Sequence, residues 1–259
     1  MHLFLIGIGT GNPDHLTAEG SKAIAHADLI LIPHKGEDKA DLADLRTQIV
    51  AGIRGDAPIA YFDMPVRDEA LPYSDRVERW HDEIAARWVD AIAAHPDAQT
   101  VALLVWGDPS LYDSTLRIAG RLIAKPNITV VPGITAVQAL TAAHAIPLNT
   151  VNGPVVITTG RRLREEGWPQ GAQTLVVMLD GECSFRRLDP KGMRIWWGAY
   201  LGMENQILEA GRLADVADHI IERRAEARAA HGWIMDAYLL RRDALAAAIA
   251  PTSASLAVP

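Results

Sequence analysis

Three glycine turns, each following directly on an apolar run, carry most of the chemistry this sequence can offer. The first, Gly7-Ile8-Gly9-Thr10-Gly11-Asn12-Pro13, puts glycines where backbone amides can approach a ligand closely. It departs from a dinucleotide fingerprint: position 12 is Asn12 and not glycine, Pro13 interrupts the turn into a helix, and no acidic residue ends the second apolar run. A tight strand-to-helix turn accounts for the same residues without a ligand. The second, Trp106-Gly107-Asp108-Pro109, has two readings. Asp108 is an N-cap with Pro109 at the first helical position, or the Gly-Asp turn offers backbone donors and a carboxylate to a ribose or amino acid. The third, Val131-Pro132-Gly133-Ile134, opens a helix of small residues that includes Ala136, Ala139, Ala142 and Ala143. Such a helix can approach the sheet, or a flat cofactor ring.

Other chemistries find little support. The nine histidines show no paired metal-ligand spacing, no Ser-His-Asp set stands out, and no metal site is expected. Cys183 is the single cysteine, which excludes an internal disulfide framework and fits a reducing compartment, hence a cytoplasmic address. A formal net charge of -7 argues against a partner held by phosphate neutralisation, so no nucleic acid is expected. No run approaches the ~20 apolar residues of a membrane span, and the start of the chain reads as a first strand and not as a signal peptide.

Elements must position these turns. Residues 3–8, 28–32, 100–106 and 128–131 read as buried strands of a mostly parallel sheet, alternating with helices. The clearest helix begins near Ser74, where Asp75 and Glu78 have capping-box spacing; Val77, Trp80, Ile84, Trp88 and Ile92 line one face, and Pro96 closes it. Ligands in such folds sit at strand carboxyl ends. The Pro, Gly and Asn-rich residues 146–154 are expected to divide the chain into α/β domains 1–148 and 149–259. In the second, residues 155–159, 174–179, 194–199 and 233–239 read as strands and 213–230 as a helix, with a loose tail at 251–259.

In this order and spacing the turns resemble those of the tetrapyrrole methylase family over nearly the whole chain. The family's Gly-x-Gly-Pro-Gly-Asp opening is similar to residues 7–12, its Gly-Asp-Pro loop to 107–109, and its Val-Pro-Gly-Ile segment to the stretch from 131. Residues 174–181 and 195–204 resemble its second-domain strands. The resemblance implies two α/β domains, S-adenosylmethionine in a cleft between them, and a homodimer. It assigns cofactor contacts to Gly9, Thr10, Gly11, Trp106, Gly107, Asp108, Leu111, Thr135, Ala136, Leu179 and Leu201. Thr10 stands where the family usually has proline, and Asn12 where it has aspartate; a backbone role survives both changes.

Within the family, residues 7–13, 182–185 and 196–202 most resemble the branch of cobalamin biosynthesis that methylates precorrin-5 at ring carbon 1 and releases its acetyl group. Methyl transfer from a sulfonium needs alignment and dryness more than a base. In deacetylation water attacks a carbonyl, which a positioned base or an oxyanion donor assists; Asp113 and Tyr112 are the candidates, each also readable as a first-turn helix residue. A substrate rich in carboxylates calls for guanidinium groups: Arg161, Arg162 and Arg164 follow a strand directly, and Arg186 and Arg187 make another cluster. For any single arginine of either run an ordinary solvated loop is the favoured reading. Rival readings are a uroporphyrinogen, diphthine or ribosomal RNA methylase of the same fold, a nucleotide-binding oxidoreductase, or a non-catalytic tetrapyrrole carrier.

Overall fold

A computed structural model describes residues 1–34 and 40–242. The tail expected at 251–259 lies outside them. The chain forms two compact units, Met1–Ala136 and Val137–Pro259.

The first unit is a five-stranded sheet of order β3-β2-β4-β1-β5. Its strands are β1 (His2–Gly7), β2 (Leu29–His34), β3 (Ile59–Asp63), β4 (Thr100–Val105) and β5 (Asn127–Val131), and every pairing is parallel. Side-chain alternation sorts the apolar runs onto two faces. Leu3, Leu5, Leu29, Leu31, Val101 and Leu103 face a core completed by Ile84 and Trp88 of α3 (Tyr73–Ala93) and Ile118 of α4 (Thr115–Ala119). Ile6, Ile30, Ile32, Ala102 and Leu104 face the other core, with Ala23 and Ile24 of α1 (Ala18–His26) and Ile49 and Val50 of α2 (Ala40–Ile53). With both faces covered, no polar residue is needed on the central strands, and these read as unbroken apolar runs.

This order also fixes where a ligand can enter. From β1 the chain crosses over to β2 on one side, and from β4 it crosses to β5 on the other, although β1 and β4 are neighbours. That reversal lies between β1 and β4, and in such sheets ligands bind at the carboxyl ends of the two strands where it occurs.

The capping box expected for α3 does not form. Pro72 is the N-cap and makes no side-chain cap bond, the Ser74 hydroxyl donates to Asp75, and Glu78 instead accepts from Arg121 at 2.5 Å. The apolar face of the helix is as expected, with Ile84 and Trp88 buried, and the last helical residue, Ala93, precedes Pro96.

The second unit is a five-stranded sheet of order β6-β7-β10-β8-β9. Here β6 (Val155–Thr159) and β7 (Thr174–Met178) are parallel, whereas β10 (Asp236–Arg242) runs antiparallel to both β7 and β8 (Met193–Ala199), and β9 (Ile207–Arg212) antiparallel to β8. The strand expected at 233–239 begins later, because Trp233 is a buried anchor whose carbonyl accepts the Tyr200 hydroxyl at 2.6 Å. Helix α7 (Leu213–His231) ends on Gly232 in the left-handed region, as a C-cap requires.

The division between units falls earlier than the expected 148/149. Helix α5 (Ala136–Ala143) packs into the second unit: Leu140 is fully buried, and a Cβ on Gly198 would meet it at 3.0 Å. His144 Nε2 lies 2.9 Å from the Trp197 carbonyl, Arg241 donates to the Pro147 carbonyl, and Thr150 donates to Gln173 at 2.8 Å. The Pro, Gly and Asn-rich stretch is therefore stitched into the second unit.

Candidate active site

At the carboxyl ends of β1 and β4 three turns pack backbone on backbone. Gly107 N donates to the Gly9 carbonyl at 2.7 Å and Gly9 N to the Gly107 carbonyl at 3.3 Å, joining the first turn to the second. A Cβ on Gly133 would stand 2.1 Å from the Gly107 carbonyl oxygen, so the third turn admits no side chain there. Gly107 is different. Its φ is +69°, and its missing Cβ would meet nothing closer than Thr135 Cα at 4.0 Å, so it leaves open space.

Asp108 fits neither expected reading fully. No helix follows Pro109; the chain turns, and α4 begins only at Thr115. The buried carboxylate accepts from Ser110 N at 2.8 Å, from the Ser110 hydroxyl, and from Gly133 N at 2.9 Å. Burial pushes its pKa up, but these donors outweigh burial and hold it below the ordinary carboxylate value. The carboxylate thus ties the second turn to the third.

In the first turn, Asn12 accepts from Asp14 N at 2.9 Å and so caps a short 3-10 turn, Pro13–His15. The Thr10 hydroxyl is buried, and no partner is found for it among the described residues. Trp106 is half-buried against the α1/α2 core, and Leu111, Thr135 and Ala136 are half-buried. Gly9, Thr10, Gly11, Trp106, Gly107, Asp108, Leu111, Thr135 and Ala136 accordingly lie on the turns at one end of one sheet.

Leu179 and Leu201 belong to the second unit. The registers Met178↔Ala237 and Ala199↔Asp236 place both at one end of its sheet, beyond β7 and β8 and beside the start of β10. Leu179 is 66% exposed with φ 53°, whereas Leu201 is buried beside Gly198.

Tyr112 is exposed at φ 49°, and Asp113 Oδ1 accepts from Thr115 N at 2.6 Å where α4 starts. Sequence reasoning missed their neighbour Arg46. Because β2 pairs with β4 only through Leu103, the Leu104 carbonyl is left without a strand partner on that side, and Arg46 Nε donates to it at 3.0 Å. Burial pulls the Arg46 pKa down to about 10 and the Asp113 charge opposes the shift, so the guanidinium is charged at neutral pH.

The arginine run 161–164 lies on a helix, α6 (Gly160–Glu166), and not on a loop. Arg161 and Arg162 are exposed, Arg162 pairing with Glu166 at 2.9 Å, while Arg164 turns inward to Asp180 at 3.2 Å and Ser184 at 2.8 Å. Helical spacing thus scatters the run. Among the described residues no cluster of metal-binding side chains occurs, and no helix is long and apolar enough to cross a membrane.

A model of the tetrapyrrole (corrin/porphyrin) methylases matches residues 2–217. The chain belongs to the tetrapyrrole methylase family. A precorrin-6A synthase [deacetylating] from Sinorhizobium sp is 48% identical to this methylase over 250 residues, 93% of this chain and 95% of that one. A structure from Corynebacterium diphtheriae, described as a cobalamin synthesis related protein (CobF), has a TM-score of 0.81 and 39% identity, covering 93% of the methylase and 99% of its own chain. The uroporphyrin-III C-methyl transferase of Thermus thermophilus complexed with S-adenyl homocysteine shares the fold at TM-score 0.61 and 19% identity, covering 93% and 92%.

The methylase is an enzyme, and S-adenosylmethionine is its methyl donor. Its own residues fit that group: the space over Gly107 is open to a ligand, and the buried Thr10 hydroxyl on the adjoining turn has no partner among the described residues.

Proposed function

We propose that the methylase transfers a methyl group to ring carbon 1 of precorrin-5 and removes the acetyl group as acetate, giving precorrin-6A in the route to cobalamin. The observation that carries this reading is the 48% identity, over 93% of this chain and 95% of the relative, to a precorrin-6A synthase [deacetylating]. The reading includes a homodimer and a cytoplasmic address, the second of which the single cysteine fits.

When bound, S-adenosylmethionine supplies a methyl group on a positively charged sulfur. The protein's part in that step is positional. The tied turns around Gly9, Gly107 and Gly133 give a rigid floor, Thr10 offers a hydroxyl, and Trp106 excludes water from one wall. No general base is needed, since a reduced tetrapyrrole carbon is itself nucleophilic. Acetyl removal is a hydrolysis: water adds to the acetyl carbonyl, the bond to the ring breaks, the ring keeps the electron pair, and acetic acid leaves. Asp113 takes the proton from water, with Tyr112 beside it in the chain and the Arg46 guanidinium among its charged neighbours. The substrate's carboxylates call for the second-domain arginines, of which Arg164 alone in its run turns inward.

Purified enzyme supplied with precorrin-5 and methyl-labelled S-adenosylmethionine should put label into the tetrapyrrole and acetate into solution in equal amounts. Label without acetate removes the deacetylating reading; no label removes the substrate. Asp113→Asn should leave S-adenosylhomocysteine affinity intact and slow acetate release by about a hundredfold.

A further inference from the structure

We propose that the cavity of about 280 Å3 lined by Arg164, Glu182, Cys183, Ser184, Arg186 and Arg187 is a carboxylate-binding subsite. It lies wholly within the second unit. Behind the lining residues Arg164, Glu182 and Ser184 is the buried Asp180, which accepts from the Tyr238 hydroxyl at 2.7 Å, the Ser184 hydroxyl at 2.6 Å, Ser184 N at 2.5 Å, Glu182 N at 3.2 Å and Arg164 Nη1 at 3.2 Å. With its oxygens so engaged, Asp180 holds the loop and leaves the cavity positive.

The loop is rigid where it matters. Cys183 adopts φ 53° and ψ 57°, and Ser184–Arg187 forms a 3-10 turn closed by Arg186 N to the Cys183 carbonyl at 3.0 Å. Phe185 is buried edge-on against Tyr238, with ring centroids 5.2 Å apart. Arg186 and Arg187 leave this anchored turn with no ion pair or hydrogen bond to either guanidinium among the described residues. Two planar cations carried at a pocket on an anchored turn, beside a third fixed by Ser184 and Asp180, match a carboxylate's paired oxygens. The lone acid at the mouth, Glu182, pairs with Arg164 at 3.2 Å and is the anion a ligand would compete with.

The source of that carboxylate rests on the precorrin-5 reading: it is a side chain of the tetrapyrrole or the acetate released. The two are separable with stable probes. Uroporphyrin, an octacarboxylate, is titrated by fluorescence at constant ionic strength. Acetate, against chloride, is tested for protection of Cys183, the chain's single cysteine, from a small alkylating reagent. Arg186→Ala/Arg187→Ala should weaken uroporphyrin binding at least about tenfold, abolish acetate protection, and leave S-adenosylhomocysteine affinity unchanged. Glu182→Gln should tighten binding a few-fold. An effect on uroporphyrin alone assigns the subsite to the tetrapyrrole side chain, and one on acetate alone to the product. Equal behaviour of parent and double variant with both probes overturns the subsite. Failure of methyl transfer to precorrin-5 would leave these titrations standing, and their failure would leave methyl transfer standing.

Discussion

Asp108 and Asp180 are both buried acids that follow a strand, and both direct their carboxylate oxygens at loop donors. Each holds a turn in place. For Asp180, burial raises the pKa, and the donors from Ser184, Tyr238 and Glu182 more than reverse it, so the folded value lies below the ordinary 3.8. A depressed carboxylate contributes stability that is complete above its unfolded pKa and lost as pH falls through the folded one. Asp180→Asn should therefore lower stability at neutral pH by about 2 kcal/mol and flatten the fall of stability below about pH 4; denaturant titrations from pH 2 to pH 7 read both. An unchanged acid limb would place the acid sensitivity elsewhere. Neither role was legible in sequence, because an acid after a strand looks the same whether it caps, binds or braces. Arg46 was equally hidden: its reason is a carbonyl left bare where two strands part.

At the scale of elements, the glycine turns were visible as turns, but their mutual contact was not. Gly133 lacks a side chain because of the Gly107 carbonyl, 26 residues earlier in the chain, counting 133 − 107. Gly133→Ala should thus destabilise the first unit, while Gly107→Leu should cost about 1–2 kcal/mol of left-handed strain and abolish S-adenosylhomocysteine binding in calorimetry by filling the open space. Equal cofactor affinity in Gly107→Leu and the parent would take this turn out of the site. Central strands β1, β2 and β4 were legible because burial on both faces demands apolar runs. The edge strands divide: β5 and β6 were legible as short β-branched runs, whereas β3 (Ile59–Asp63) and β9 (Ile207–Arg212) were not, since Asp63 in the one and Glu209, Gly211 and Arg212 in the other break the apolar pattern. The α3 cap failed for a related reason: Glu78 found a tertiary partner in Arg121.

Across the whole molecule, each unit has its own sheet, and the first has an apolar core on both faces. Residues 1–136 produced alone should unfold in one cooperative denaturant transition; a broad, non-cooperative loss of signal would show that this core is incomplete by itself. The sequence by itself determined the alternation of strands and helices, the parallel central strands and the ordered turns that mark a tetrapyrrole methylase, because burial periodicity and glycine turns are local properties. Tertiary structure alone decided that α5 and the Pro, Gly and Asn-rich stretch join the second unit, that β10 inserts between β7 and β8, and that Arg164 meets Arg186 and Arg187 while Arg161 and Arg162 stay outside. Those are contacts between residues far apart in the chain, which no local pattern encodes.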